Sequence, residues 1–321
     1  MKKAVALQQP FLCILVKTIP EEHSGIAGII YTHYLIGPII HSPLYTKTMK
    51  SVLLPLALCG FMGLLLQACT KEVKQTASEE LTSSELALIK SLGFSTDGAQ
   101  KIDEGYLVEG DIVLTAAHLG TPPTSPNLVI AQEEQYHTYN LVNMADYPII
   151  TIALDNSSAQ HQSVFSSALD ETIRRYNAEG LAFKMQRVNS GADITINSYY
   201  QVSSTLGSSG FPSRNGDPYR QVKMNTYHYS TSTGSTNINF IATIMSHEVG
   251  HCIGFRHTDY MNRSYSCGGS GGNEGSGSVG AVQISGTPTG PDAKSWMLAC
   301  IGSGVNRPFN ANDKVALAYL Y

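Results

Sequence analysis

Charged residues are scarce in this chain. They make up 14% of its 321 residues and leave a formal net charge of −4. No basic patch or acidic run is present, which argues against nucleic acid as a partner. Cysteine is sparse too, with six in the chain. The Gly/Ser-rich stretch 267–280 contains no aspartate. It is therefore not a calcium-binding glycine repeat, and its composition fits a surface excursion. Asn215-Gly216-Asp217 is a second calcium-like cluster, but these residue types form turns more readily than cation sites. Calcium is not supported.

What the chain does contain is His247-Glu248-Val249-Gly250-His251-Cys252-Ile253-Gly254-Phe255-Arg256-His257. His247 and His251 are four apart, so a helix places both imidazoles on one face, about a turn apart. They can then share one metal ion at about 2.0–2.1 Å. Glu248 follows the first imidazole, rotated about 100° around the axis. That is the position of a general base beside an open fourth coordination site. Ile238, Ile241, Met245, Val249 and Cys252 form an apolar stripe at helical spacing. The spacing predicts a helix over 238–253, capped by Ser235, Thr236 or Asn237. On a continued helix His257 would stand about 9 Å beyond His251, too far to share the ion. The chain must turn, and Gly254 can supply the left-handed backbone that ends the helix. Zinc held by three imidazoles with one position open suits hydrolysis.

These residues resemble the metzincin clan of zinc endopeptidases, whose pattern is His-Glu-x-x-His-x-x-Gly-x-x-His. Within the clan they are most similar to the bacterial dual-action HEIGH metallopeptidases. The likeness extends to Thr258-Asp259, Gly286-Thr287-Pro288, Ser295-Trp296-Met297 and the tail from Arg307 to Lys314. It implies an α+β, metzincin-like (zincin) fold: a twisted mixed sheet, an active-site helix and a C-terminal subdomain carrying a methionine turn. It also implies one catalytic Zn²⁺ on His247, His251 and His257, with Glu248 as base. Met297 would form the floor of the site. Asp259 would orient a ligand or the turn. Substrates would be proteins or peptides, cut internally and bound as an added strand along a sheet edge. One departure is Leu298, where some relatives carry a tyrosine two residues after the methionine. Tyr227 and His228 are weak substitutes for stabilising the oxyanion. Relatives often block the zinc with a pro-segment Cys or Asp. No cysteine lies between Thr70 and Asp146, which leaves Asp103, Asp111 or Asp146. Two other readings are a non-catalytic zinc-containing surface lipoprotein and a zinc hydrolase of non-peptide amides. An intact Glu248 argues against the first.

The N-terminus reads separately. Residues 52–68 are an apolar run behind Lys47 and Lys50, ending in Leu66-Gln67-Ala68-Cys69. This is the layout of a secretory signal. The Cys after Leu-x-Ala resembles a bacterial lipoprotein signal, with Cys69 as the lipidated first residue. Membrane contact would then run through the lipid, placing a monomeric protein in the bacterial cell envelope. Residues 1–48 fit poorly ahead of a signal with its own methionine, Met49. They read as a gene-model extension. The expected divisions are 1–48, a signal at 49–69, a linker and pro-region at 70–145, and a peptidase domain at 146–321.

Cys252, Cys267 and Cys300 then remain. Cys252 reads as a buried thiol. Cys267 and Cys300 are a candidate disulfide in an oxidising compartment, although spacing alone leaves the pairing open. Elsewhere the pattern predicts helices over 85–92, 163–176 and 311–321. It predicts strands over 106–114, 147–154, 181–188 and 192–200, and an edge strand over 219–229. The loop 203–218 carries no histidine, so a second imidazole-held zinc is not expected there.

Overall fold

A computed structural model describes residues 80–119, 135–155, 159–269, 279–288 and 292–321. Cys69, Met49 and the signal-like run lie outside these residues. Along the chain come α1 (Ser83–Ser91), β1 (Gln100–Ile102), β2 (Gly105–Val108), β3 (Ile112–Leu114), α2 (Ala116–Leu119) and β4 (Tyr136–His137). Then follow β5 (Ile149–Leu154), α3 (Gln162–Asn177), β6 (Lys184–Arg187), β7 (Ile194–Tyr199), β8 (Gly207–Ser208) and β9 (Gln221–Asn225). The last elements are α4 (Ser235–Ile253), α5 (Ser264–Cys267), β10 (Val282–Gln283) and α6 (Ala311–Leu320).

The main sheet has the order β6-β5-β7-β9-β8. Its first four strands run parallel and β8 is antiparallel to β9. The chain is therefore a mixed α/β protein. Ile150 and Ile152 of β5, and Ile194 and Ile196 of β7, are fully buried. These β-branched residues are the ones that suit a covered parallel sheet. Helices α3 and α4 pack on each other and on this sheet. Phe165, Leu169 and Tyr176 of α3 join Ile241, Met245 and Val249 of α4 in one core.

The edge strand is not the predicted 219–229. Its central part, β9, is flanked by β7 and by β8, and β8 forms the edge. The sequence hides this because β8 is two residues long, too short for an alternating pattern. The predicted strand 106–114 is a hairpin. It reverses at Glu109 (φ 58°) and Gly110 (φ 95°), between β2 and β3. Helix α4 begins three residues before the predicted 238. Its N-cap is Gly234, with no side-chain cap, rather than Ser235, Thr236 or Asn237.

Residues 80–119 form a three-stranded antiparallel sheet with α1 across it. Helix α1 starts at a capping box of Thr82 and Glu85. Ile89, Leu92, Phe94, Val108, Ile112 and Leu114 share a small core with Phe211 and Val279 from later in the chain. Residues 135–145, which the sequence groups with the N-terminal extension, pack into the later body. There β4 pairs with β10, and Val142 enters the main core. The 213–217 segment is a turn in which Ser213 Oγ donates to Asp217 Oδ2 at 2.7 Å.

Candidate metal centre

Helix α4 presents His247 and His251, and Gly254 ends it at φ 112° in the left-handed region. A side chain at Gly254 would also press on Leu141 Cδ2 at 2.8 Å and Asn140 O at 3.0 Å. The reversal brings His257 back. His251 Nε2 lies 3.1 Å from His247 Nε2 and 3.2 Å from His257 Nε2, and the third pair is 3.3 Å apart.

The outer nitrogens set the tautomers. His247 Nδ1 donates to Trp296 O at 2.9 Å, and His251 Nδ1 donates to Phe255 O at 2.8 Å. Their Nε2 atoms therefore carry lone pairs, not protons, and these face one another. Uncompensated, that arrangement is repulsive. A shared cation resolves it, and nitrogens bound tetrahedrally at about 2.0–2.1 Å would stand about 3.3–3.4 Å apart. The three imidazoles fit a zinc ion. Burial, then His247 and His257, hold the pKa of His251 well below the ordinary imidazole value.

A fourth donor joins them. Asp111 Oδ2 lies 3.1 Å from His257 Nε2 and 3.6 Å from His247 Nε2. The other oxygen, Oδ1, is buried with no hydrogen-bond partner among the described residues. Burial opposes a charge on Asp111, but His257 and its neighbours hold the carboxyl well below its usual pKa. Asp111 reaches the site because the chain around it pairs with the sheet edge. Ser209 N donates to Asp111 O at 2.9 Å, and Val113 N donates to Ser209 O at 2.7 Å. Glu109, two residues earlier, is buried 3.9 Å from Arg256. Arg256 itself stacks over Phe94 at 4.9 Å.

Glu248 is buried and lines the same cavity as His247 and Asp111, a space of about 220 Å³. Burial, then the Asp111 carboxylate, push its pKa well above the ordinary carboxylate range. Ser209 Oγ donates toward it, 2.8 Å from Oε2 and 2.8 Å from the Glu248 carbonyl. Gly207 leaves room for it: a Cβ there would sit 2.8 Å from Glu248 Oε1.

Met297 is fully buried beneath α4. A Cβ on Gly250 would fall 2.7 Å from Met297 Sδ and 2.5 Å from the Trp296 ring. Thr258 N donates to Met297 O at 2.9 Å, tying the residue after the third imidazole to this turn. Asp259 does not touch an imidazole. It accepts from Ala299 N at 2.9 Å and from Ser266 Oγ, so it fastens the turn. Cys267 and Cys300 form a disulfide. Cys252 is a buried free thiol.

Other candidates stand apart. Tyr227 is half-exposed, His228 Nε2 bonds to Ser203 O at 2.8 Å, and neither lines the cavity. Asp103 lies in the β1–β2 turn, and Asp146 bonds to Asn143 at the surface. Leu298 is part of the cavity wall. The sequence did not single out Ser209, Gly207 or Gly250 for the site.

Convergent imidazole nitrogens beside a buried carboxylate make a cluster that could hold a metal ion, of the kind metal-dependent hydrolases use. The chain belongs to the dual-action HEIGH metallo-peptidase family, whose family model matches residues 107–321. Among solved structures it resembles that of myroilysin, at 17% identity and a TM-score of 0.33, over 53% of this chain and 90% of that one. A search of curated proteins finds no match.

Proposed function

We propose that this chain is a zinc-dependent endopeptidase of metzincin type, made with an inhibitory N-terminal segment. The observation that carries the reading is the approach of three imidazole Nε2 atoms to within 3.1–3.3 Å of one another, two of them left without a proton by the carbonyls at their Nδ1 atoms. His247, His251 and His257 would hold the ion, with Met297 as the floor. A zinc ion there lowers the pKa of water toward about 7 and polarises a carbonyl. Glu248 takes the proton of the attacking water, then returns it to the leaving amine. The Ser209 hydroxyl keeps Oε2 oriented. The edge strand β8 pairs with the backbone of an extended substrate, which gives affinity without demanding one sequence.

The segment through Asp111 pairs with Ser209 at that edge, and its carboxylate would occupy the fourth ligand position. Residues 80–119 are then the pro-region. Cys69, as a lipidated residue, would tether the protein to the cell envelope, and intact-mass measurement of the mature chain tests this.

The test of activity is hydrolysis of casein, lost on chelation and restored by zinc. A protein that binds zinc and leaves casein and peptides intact would sink the reading. His257→Ala should lower bound zinc, and unchanged zinc content would refute the three-imidazole assignment.

A further inference from the structure

The cavity that holds His247 and Glu248 is also lined by two arginines, Arg263 and Arg307. Their situations differ. Arg263 Nη2 donates to the carbonyl of Glu109, so the N-terminal segment engages it. Arg307 is fixed through its backbone, whose N–H donates to Thr243 Oγ1 at 3.0 Å. Thr243 stands one turn before His247 on α4. The guanidinium donates through Nη1 to Cys300 O at 3.3 Å. The Cys267–Cys300 disulfide pins that carbonyl's residue.

No carboxylate pairs with Arg307 among the described residues. Burial lowers its pKa, while Asp259, Asp313 and Asp292 act the other way from a distance. A guanidinium stays charged regardless. The surrounding wall includes Ile244, Leu298 and Ile301, so water is partly excluded and a charge there is costly until an anion meets it. A planar fork with most of its donors uncommitted suits a carboxylate.

We propose that Arg307 is a specificity-determining residue, selecting peptides that place a carboxylate in this cavity beside the bond to be cut. The proposal rests on the peptidase reading above. The carboxylate is either an Asp or Glu side chain within the peptide or the peptide's own C-terminus.

The test uses the full-length, zinc-loaded protein, treated with trace trypsin until casein hydrolysis reaches a plateau. It is assayed on peptides varied on both sides of one bond, each made as a C-terminal acid and as an amide. An adjacent Asp or Glu should raise kcat/KM about 10- to 100-fold over Asn or Gln, the range of a charged hydrogen-bond pair. If instead acid outperforms amide by that factor, the terminus is the source. Either advantage should collapse in Arg307→Met, survive in part in Arg307→Lys, and pass to basic residues in Arg307→Glu. In a Glu248→Gln background, Arg307→Met should weaken binding of an Asp-bearing peptide about tenfold by fluorescence anisotropy. Circular dichroism melts identify any variant that fails to fold, and the Lys variant then stands in.

Cleavage without carboxylate preference, or a preference untouched by Arg307→Met, overturns the proposal. If no peptide is cut, the peptidase reading fails, and the binding experiment decides on Arg307 by itself.

Discussion

His257 Nε2 and Asp111 Oδ2 lie 3.1 Å apart, although 146 residues of chain separate them. On the peptidase reading proposed above, a carboxylate there would compete for the position that hydrolysis needs open. Asp111→Ala in the full-length chain should raise peptide hydrolysis by about tenfold or more, equivalent to about 1.4 kcal/mol of lost blocking. With cobalt in place of zinc, the visible spectrum should change between wild type and variant, because one ligand differs. Identical spectra would show that Asp111 is not a ligand.

Glu248 and Ser209 make a separable pair. Glu248→Gln should keep its zinc and lose about 10²- to 10⁴-fold in kcat, the usual contribution of a positioned base. Ser209→Ala removes the hydroxyl that lies 2.8 Å from Oε2. It should cost about tenfold in kcat, within the energy of one hydrogen bond to a charged group, with zinc content unchanged. A Ser209→Ala enzyme as fast as wild type would remove the serine from the mechanism.

Much of the centre was legible because it obeys local rules. The four-residue spacing of His247 and His251, the apolar stripe of α4 and the glycine at its end act within a few turns of chain. The helix ended at Ile253, as the position of Gly254 predicts. What was not legible depends on tertiary placement. Asp111 looks like Asp103 and Asp146 in the sequence, and only the pairing of the chain around it with Ser209 sets it apart. The hairpin over 105–114 read as one strand because Ile112, Val113 and Leu114 continue the apolar pattern past Glu109-Gly110. Arg307 stands in the sequence only as the first residue of the family-like tail, with no sign of a place in the site, since its partners Thr243 and Cys300 come from elsewhere in the chain.

Gly250 sits where the helix meets the turn beneath it. An added methyl would lie 2.5 Å from the Trp296 ring and 2.7 Å from Met297 Sδ. Alanine favours a helix over glycine by about 1 kcal/mol. Overpacking a buried site costs about 1–3 kcal/mol, and here two buried side chains must move. Gly250→Ala should therefore lower the melting temperature by a few degrees. It should also weaken zinc binding, because Trp296 O orients His247. Calorimetry with and without zinc checks both, and a variant more stable than wild type would show that the contact relaxes freely.

Asp313 fastens α6 to the turn that carries Met297. It accepts from Gln135 Nε2 at 2.7 Å, Ser295 Oγ at 2.8 Å, Asn310 N at 2.9 Å and Trp296 N at 3.2 Å. Burial outweighs these donors and raises its pKa from 3.8 to about 6. The folded protein thus holds this proton more tightly than the unfolded chain. Its contribution to stability is full below about pH 4 and is lost as pH rises through about 6. The loss is on the order of 3 kcal/mol at 1.36 kcal/mol per pKa unit. Asp313→Asn has no such titration. The stability of wild type minus that of the variant should fall by about this amount between pH 4 and pH 7. Urea unfolding of both proteins at the two pH values measures it. Titration at the imidazoles is common to both and cancels in the difference. A difference that stays constant or grows with pH would mean that the four donors, not burial, control Asp313.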